Sequence, residues 1–580
     1  MISPDSLHQK AFSSGLTLFR PKILEIFKTP YYASDLGGDL AAGVTVALLA
    51  LPLALALGIA SVPTGVATPI SIPALGLITA VVAGFIISLF GGSRFQIGGP
   101  TAAFIPLILL ILERHGFQGL ILATMMAGVF LILMGLTRMG NLIKFIPWPV
   151  TSGFTTGIAV CIILSQIPDF FGFHESRPPP RDFFEKIPWL WSHLPSFHPM
   201  DLALGLITLA IVFLWPRWGW RHAPGTIVAI VSGTVIAWLF HRLGATELVT
   251  IGSKFGENSL NLGSVQLQLP EIHLSQLQAL IGPAVAITLL GAIESLLSAV
   301  VADGLTDQRH DSNTELIAQG LANLITPFFC GLPATGAVVR TSANITHGAR
   351  SPVAGMVHAV VLLMLVLLAG RWLIHIPLAV MAAVLLMVAF RMGDWSEIKR
   401  AHHLPKSDFL VLIATLVLTV VFDLVVAVEI GMVLAAALFI KKVSDTTEVS
   451  RVTERDELES PEQLAHGKKI PDGVLVYRIF GPFLFGAAEK MEAALERLNE
   501  LPRVLILRLH LVSAMDATAL NTFQIVVDRL RKRGVEVILS GLHRQPLVIL
   551  NNSGLIEEIG RQNVCAHFDE ALQRAERILG

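Results

Sequence analysis

Between residues 36 and 442, long apolar runs alternate with short polar breaks; beyond Lys442 the apolar runs shrink to strand length. A helix needs about 20 apolar residues to cross the hydrocarbon core of a bilayer. Runs of that kind lie near 40–60, 70–90, 119–137, 147–168, 203–216, 225–241, 278–302, 353–370, 374–390, 406–422 and 424–441. Three more segments, about 97–112, 312–328 and 333–347, are apolar but shorter or broken. The pattern predicts fourteen spans, making 36–442 a transmembrane domain. Residues 1–35 are polar and mixed and lack the pattern of a cleavable signal peptide, so they read as a cytoplasmic N-terminal segment.

After the last span, 443–472 is charged and aperiodic, as a linker is. Val474–Ile479, Val504–Leu511 and Val535–Ser540 read as strands, and Ala517–Arg533 and Phe568–Leu579 as helices. Such alternation predicts an α/β domain over 473–580, a sheet covered by helices.

Composition agrees with a membrane protein: 53% of residues are hydrophobic, 15% are charged and mean hydropathy is +0.67, whereas soluble domains carry about 25% charged residues. The net charge of -1 gives no sign of a nucleic-acid partner, and three cysteines make no disulfide framework. Basic residues test the orientation. With the N-terminus inside, the inner loops and the end of the last span hold Arg94, Arg138, Lys144, Arg217, Arg221, Arg309, Arg350, Arg391, Lys399, Arg400, Lys406, Lys441 and Lys442. The outer loops hold Arg114, Arg177, Arg181, Lys186, Arg242, Lys254 and Arg371, five of them in the two long loops 169–201 and 242–277, where the charge rule is weak. The bias favours fourteen spans with both termini cytoplasmic.

Two short segments carry the functional signal. One is Gln96-Ile97-Gly98-Gly99-Pro100-Thr101-Ala102-Ala103-Phe104; the other is Gly331-Leu332-Pro333-Ala334-Thr335-Gly336-Ala337-Val338-Val339-Arg340-Thr341. Each sets Gly and Pro in an apolar stretch and then leads into a helix, with the proline suited to a first helical turn. Irregular backbone at membrane depth is tolerated only when buried or lining a wet cavity, and paired interruptions in corresponding places point to a transporter's binding site. Gly43-Val44-Thr45-Val46-Ala47 also resembles Gly282-Pro283-Ala284-Val285-Ala286, which suggests two inverted repeats of seven helices. The start of a half-helix offers unpaired N–H groups and about +0.5 of an elementary charge, so two such ends favour an anion.

Two ionisable residues lie at this depth. Arg340 either helps to hold the substrate or ties the broken helix to backbone carbonyls. Glu294, read as the one carboxylate well inside a span, has three readings: carrier of a coupling proton, ligand of a cation together with Ser298, or partner of Arg340. Asp303, Asp307, His310 and Asp311 fall in a loop rich in helix-cap residues and read as caps, not a metal site. HExxH, P-loop, GxSxG and Cys-x-x-Cys patterns are absent, so neither an enzyme nor an ATP-driven pump is expected, and no cofactor or metal.

These segments, together with Ala50-Leu51-Pro52-Leu53-Ala54 and Gly348 to Pro352, resemble the SulP (sulphate permease) family of anion transporters in a bacterial form, over about 35–580. The C-terminal part resembles the STAS domain (sulphate transporter and anti-sigma factor antagonist). The resemblance implies fourteen spans in two inverted repeats, a core domain moving against a gate domain, dimers in the bacterial inner membrane, and an anion site between the third and tenth helices. Carried over by position, Leu53 and Leu57, Thr101, Ala102 and Ala103, and Ala337, Val338, Val339 and Arg340 would line it. Sodium-using members place a hydroxyl near Val338, which favours a proton carried by Glu294 over sodium. Thr518, in Met515-Asp516-Ala517-Thr518-Ala519-Leu520, falls where anti-sigma antagonists are phosphorylated, beside the alternative of a plain helix cap by Asp516.

The leading expectation is a secondary transporter of a small anion (sulphate, bicarbonate or a C4-dicarboxylate) by proton symport or exchange, working in membrane lipid, with a cytoplasmic partner open to the STAS domain. The alternatives are sodium-coupled bicarbonate uptake, a nucleobase permease of similar fold, and a membrane-anchored STAS signalling protein. Arg340 and the C-terminal domain count against the nucleobase, and the paired broken helices against the anchor.

Overall fold

The computed structural model describes residues 19–26, 31–63, 65–140, 147–173, 180, 183–215, 225–242, 248–260, 267, 274–422, 424–451, 470–484, 490–491 and 502–580. The basic residues Lys144, Arg177, Arg181, Arg217 and Arg221, and most of the linker, lie outside them. Two compact units divide the chain, Met1–Met432 and Val433–Gly580.

The first unit is helical. Its helices are α1 (Ala33–Ser61), α2 (Ile72–Phe90), α3 (Phe104–Leu136), α4 (Trp148–Phe171), α5 (Phe183–His193), α6 (Pro199–Leu214), α7 (Gly225–Arg242), α8 (Ile251–Phe255), α9 (Leu274–Thr306), α10 (Ser312–Ile325), α11 (Val338–Thr346), α12 (Val353–Leu373), α13 (Leu378–Met392), α14 (Trp395–Arg400), α15 (Lys406–Val421) and α16 (Leu424–Thr446), the last running into the second unit. Two two-residue strands, β1 (Gly98–Gly99) and β2 (Thr335–Gly336), interrupt the series.

Among the described residues, seven helices are long and apolar enough to cross a membrane alone, or up to nine if each bent pair is one span. The remaining segments are short because the chain breaks them. Helix α3 holds two segments that meet at Gly116, whose φ of 64° and ψ of -172° leave the helical region. Sequence placed a loop of several residues there; one glycine suffices, because it takes a positive φ without strain. With α5, α8 and α14 as short peripheral helices, the architecture is fourteen spans in two inverted repeats.

Packing sorts the spans into two groups. Helices α1, α2, α3, α9, α10, α11 and α12 form the core, while α4, α6, α7, α13 and α15 form the gate. Small residues allow the core helices to approach closely. A Cβ on Gly128 would stand 2.7 Å from the Gly320 carbonyl, and a Cβ on Gly320 2.6 Å from the Gly128 carbonyl. Close backbone contact of this kind drives helix association where lipid removes the hydrophobic incentive.

The second unit contains β3 (Glu448–Arg451), β4 (Val474–Phe480), β5 (Val504–Leu511), β6 (Glu536–Ser540) and β7 (Val564–Cys565), in that spatial order. Strand β3 is antiparallel to β4; the other pairings are parallel. Helices α17 (Ala517–Lys532), α18 (Arg544–Asn552) and α19 (Leu555–Ile559) cover one face, and α20 (Phe568–Leu579) covers the other. The start of the expected linker is ordered: α16 continues to Thr446 and β3 forms an edge strand. A strand of four residues pairing on one side only leaves little periodicity to read.

Candidate functional site

The two broken segments meet. Strands β1 and β2 pair antiparallel, Gly98 opposite Gly336 and Gly99 opposite Thr335. The Ala337 N–H donates to the Ile97 carbonyl at 2.9 Å and extends the ribbon by one bond. Gly99 has a φ of 144°, a conformation that glycine alone adopts readily, and a Cβ there would stand 2.7 Å from an Arg340 guanidinium nitrogen. Each strand then leads into a helix start. The prolines do not open those helices as expected: Pro100 and Pro333 sit in the extended lead, and the helices begin at Phe104 and Val338.

Neither helix start has a side-chain cap. The N-cap residues are Ala103 and Ala337, and alanine offers no acceptor. The first N–H groups of a helix have no partner within it. Side-chain capping would satisfy them, so its absence at two adjoining ends leaves a pair of anion-seeking termini.

Helix α9 fastens the second segment by hydroxyls. Ser295 Oγ and Thr335 Oγ1 lie 2.6 Å apart, Thr335 Oγ1 donates to the Gly291 carbonyl at 3.0 Å, and the Gly336 N–H donates to Ser295 Oγ at 3.1 Å. Ser298 Oγ donates to Thr341 Oγ1 at 3.0 Å, and Thr341 Oγ1 accepts the Ile97 N–H at 3.1 Å. Asn323 brackets Ala334, taking its N–H at 2.9 Å and donating to its carbonyl at 2.8 Å. Asn344 Nδ2 donates to the Phe95 carbonyl at 3.0 Å.

The charged pair is arranged differently from a simple ion pair. Thr101 Oγ1 donates to Glu294 Oε2 at 2.9 Å, and the Arg340 guanidinium donates to the Pro100 carbonyl. Among the described residues no ion pair within 4.0 Å joins Glu294 to Arg340. Arg340 thus crosses from the second broken segment to the first, and Glu294 reaches the first from α9.

The other residues singled out by sequence fall around this ribbon. Thr101 is half-buried; Ala102, Ala103 and Ala337 are buried; Val338 is half-buried and Val339 is 61% exposed. Leu57 is 5% exposed within the main apolar cluster, and Leu53 packs half-buried against it. Ser298 is buried with its hydroxyl committed to Thr341. Thr518 lies apart, exposed in the first turn of α17, whose N-cap Asp516 accepts the Ala519 N–H at 2.8 Å. In the loop after α9, His310 pairs with Asp303 at 2.7 Å, and Asp311 caps α10 through the N–H groups of Asn313 and Thr314.

Glu294 is not the one carboxylate inside the helical unit. Glu315 and Asp39 are fully buried. Glu315 Oε2 accepts the N–H groups of Gly92 and Ser93 at 2.9 and 3.1 Å, and its Oε1 accepts from Gln319 at 2.9 Å. Asp39 accepts from the Arg350 and Ser351 N–H groups at 2.6 and 3.0 Å. Both sit near helix ends, where a carboxylate reads as a surface residue. Their backbone N–H partners lie hundreds of positions away, so no local pattern announces them.

The relatives of this chain are transporters. Residues 36–415 match the model of the sulfate permease family, and 467–571 match the STAS domain. A putative sulfate transporter, YvdB of Bacillus subtilis (strain 168), is 38% identical over 533 residues, 92% of this chain and 96% of that one. Among solved structures, the transmembrane domain of a cyanobacterium bicarbonate transporter, BicA, is 34% identical with a TM-score of 0.60, covering 69% of this chain and 98% of that one. The murine Slc26a9 anion transporter in the inward-facing state shares the fold over 98% of this chain and 95% of its own, with a TM-score of 0.82 at 17% identity. A family match over most of the helical unit, carried by residues that build an uncapped pair of helix ends, makes the conclusion plain: this chain belongs to the sulfate permease family and is a membrane anion transporter, not an enzyme, with a C-terminal STAS domain.

Proposed function

We propose that the chain carries a small oxyanion, sulfate or bicarbonate ahead of a C4-dicarboxylate, together with a proton, by alternating access of the core against the gate. The observation that carries this reading is the ribbon that joins two uncapped helix starts, at Ala103 and Ala337. The anion is held by N–H groups of Thr101 to Ala103 and of Val338 and Val339, beside Ala337, whose own N–H is engaged with the Ile97 carbonyl, with Arg340 adding fixed charge and Leu53 and Leu57 closing the apolar side. Backbone donors select charge before shape, in keeping with relatives described as a putative sulfate transporter and a bicarbonate transporter.

Glu294 is the proton carrier in this reading. It touches Thr101 at the site, so its charge state is felt where the anion binds. Sodium is disfavoured because Val338 offers no hydroxyl and Ser298 is engaged with Thr341. The chain works as a homodimer in the bacterial inner membrane with both termini cytoplasmic. The STAS unit takes regulatory input from a cytoplasmic partner or by phosphorylation at Thr518, where a phosphate adds about -1.5 to -2 charges at a helix start.

Purified protein in liposomes tests the reading. Labelled sulfate or bicarbonate is expected to accumulate under an imposed proton gradient, with fumarate weaker and a sodium gradient without effect. Glu294→Gln is expected to abolish the gradient dependence, and Arg340→Ala to weaken anion affinity by about tenfold. No accumulation of any anion under either gradient overturns the transport mechanism; unchanged pH dependence in Glu294→Gln removes that residue from it.

A further inference from the structure

Two glycines of the β1–β2 ribbon turn their backbone groups away from it. The bond from the Ala337 N–H to the Ile97 carbonyl makes those residues a hydrogen-bonded pair, so the next pair, Gly98 and Gly336, points its N–H and C=O groups outward. On one side α9 receives them, the Gly336 N–H donating to Ser295 Oγ at 3.1 Å. On the other side the Gly98 carbonyl faces α2 at Gly84, where an added Cβ would stand 3.3 Å from its oxygen. Among the described residues no donor reaches that oxygen.

Helices α2 and α12 pack together there, with a glycine from each, Gly84 and Gly355, at the contact. A Cβ on Gly84 would also stand 3.6 Å from Cε1 and 3.7 Å from Nδ1 of His358. A Cβ on Gly355 would stand 2.9 Å from Ser88 Cβ and 3.2 Å from Ile97 Cδ1. Ser88 lies one turn beyond Gly84, and His358 one turn beyond Gly355, so the hydroxyl and the imidazole face the same crossing. Both residues are buried, Ser88 at 3% and His358 at 0% exposure. Ser88 Oγ has no protein partner, and neither ring nitrogen of His358 makes a well-formed bond, although the Gly355 carbonyl lies toward one of them.

These groups match one kind of ligand. A neutral imidazole carries one N–H and one bare nitrogen, and a hydroxyl both gives and takes. Buried without partners, they and the Gly98 carbonyl would carry a desolvation penalty. Ile87, which packs against Gly98, and Ile97, which packs against Gly355, are apolar and cannot relieve it. Arg340 reaches Gly99 and the Pro100 carbonyl close by, so its fixed positive charge disfavours a metal cation. Water donates and accepts, and a buried water typically satisfies about three polar groups.

We propose that His358 and Ser88 hold a buried water at the α2–α12 crossing, that this water donates to the Gly98 carbonyl, and that His358 is thereby a positioning residue for the first broken segment. Each outward-facing glycine of the ribbon then has a polar support, direct for Gly336 and through water for Gly98. With the Gly98 carbonyl fixed, the N–H groups of Thr101 to Ala103 stay aimed at the anion. That last consequence rests on the transport reading of the site; the water does not.

Radiolytic footprinting of the full-length protein in lipid nanodiscs tests the water. Radicals from bulk water mark exposed side chains, whereas a fully buried side chain is marked only by a radical formed from a water held beside it. His358 is expected to be oxidised in the folded protein, taking up heavy oxygen from labelled solvent more slowly than the exposed His567. Ser88→Ala is expected to lose most of that oxidation. Uptake into liposomes tests the positioning, with labelled sulfate or bicarbonate, whichever the parent carries. His358→Leu is expected to raise the half-saturating concentration about tenfold with the maximal rate little changed. His358→Gln, which keeps a donor and an acceptor, is expected to restore the parent's value. An imidazole that only fills space would give the reverse order, Leu tolerated and Gln not, and would overturn the positioning role. An unmarked His358 beside a marked His567 overturns the water. A parent that carries no anion defeats the transport reading instead, and the oxidation of His358 still decides the water.

Discussion

The two broken segments occupy corresponding places in the two repeats but are held by different means. The first, Gly98 to Phe104, is fixed mainly by shape. Gly98 and Gly99 press against Ile87, Ala80 and Arg340, and Ala102 to Phe104 are buried in the main apolar cluster. The second, Ala334 to Thr341, is fixed mainly by hydrogen bonds from Ser295, Ser298 and Asn323. Close packing of that kind tolerates added volume poorly. A hydrogen-bonded cradle tolerates small changes of shape but not the loss of a partner, which strands a buried polar group. Symmetry of sequence therefore conceals an asymmetry of support, and the two segments should break under different substitutions.

The largest effect is expected from Gly99→Ala. A Cβ at φ 144° is strained, and it meets the Arg340 guanidinium at 2.7 Å and Ala80 Cα at 3.3 Å. The loss is expected to reach several kcal/mol, about 2–4, with uptake below a tenth of the parent's in the surviving folded protein. In the second segment Gly336→Ala, opposite Gly98, meets mainly the end of the Gln96 side chain, which can move, and is expected to cost less than half as much. Thermal unfolding in detergent checks both; equal costs would remove the proposed asymmetry. Next comes Asn323→Ala, which leaves the buried N–H and carbonyl of Ala334 without Asn323, at about 2–4 kcal/mol. Asn323→Asp retains the acceptor alone and is expected to recover part of that loss.

The contrast also explains what sequence disclosed. Gly-Gly-Pro and Leu-Pro-Ala-Thr-Gly inside apolar runs are local signals, and they located both segments, with Arg340 and Glu294 close by. Eleven of the spans followed from run length, and the other three from shorter or broken apolar segments. The polar cradle did not follow: Ser295, Thr335, Asn323 and Thr341 bond across 11 to 244 positions of chain, and serines and threonines in apolar runs read as groups bonded to their own helix. Thr79 shows both roles, donating to the Leu75 carbonyl at 2.7 Å and accepting the Leu332 N–H at 2.7 Å. Glu315 escaped because a carboxylate in a first helical turn is ordinarily a surface feature. Its two long-range N–H partners make it a structural clamp between the start of α10 and the loop after α2.

A smaller effect is expected where one side chain serves both segments. Thr341 accepts from Ile97 in the first and from Ser298 on α9. Thr341→Val keeps the shape and removes both bonds, stranding the Ile97 N–H; a loss of about 1–3 kcal/mol is expected. Thr341→Ser restores the hydroxyl and should restore most of the stability. A Ser298→Ala variant separates the two bonds, because it leaves the Ile97 contact in place. If Ser298→Ala matches Thr341→Val, the α9 bond, not the link between segments, carries the stability.

The smallest effect on stability is expected at Thr101, and there the comparison turns from support to function. Thr101 donates to Glu294 from the half-buried mouth of the first segment, where water can replace a lost partner. Thr101→Val should therefore cost about 1 kcal/mol or less in unfolding. The same bond is the one direct link between Glu294 and either broken segment among the described residues. If Glu294 senses the anion through the first segment, Thr101→Val loosens the dependence of uptake on the proton gradient while binding of the anion persists, and Thr101→Ser restores it. A variant that unfolds as readily as Gly99→Ala would instead place Thr101 among the supports. A stable variant with unaltered gradient dependence would shift the coupling to the second segment, through Arg340. Segments fixed by packing would then position the anion, and the segment fixed by hydrogen bonds would answer to the proton.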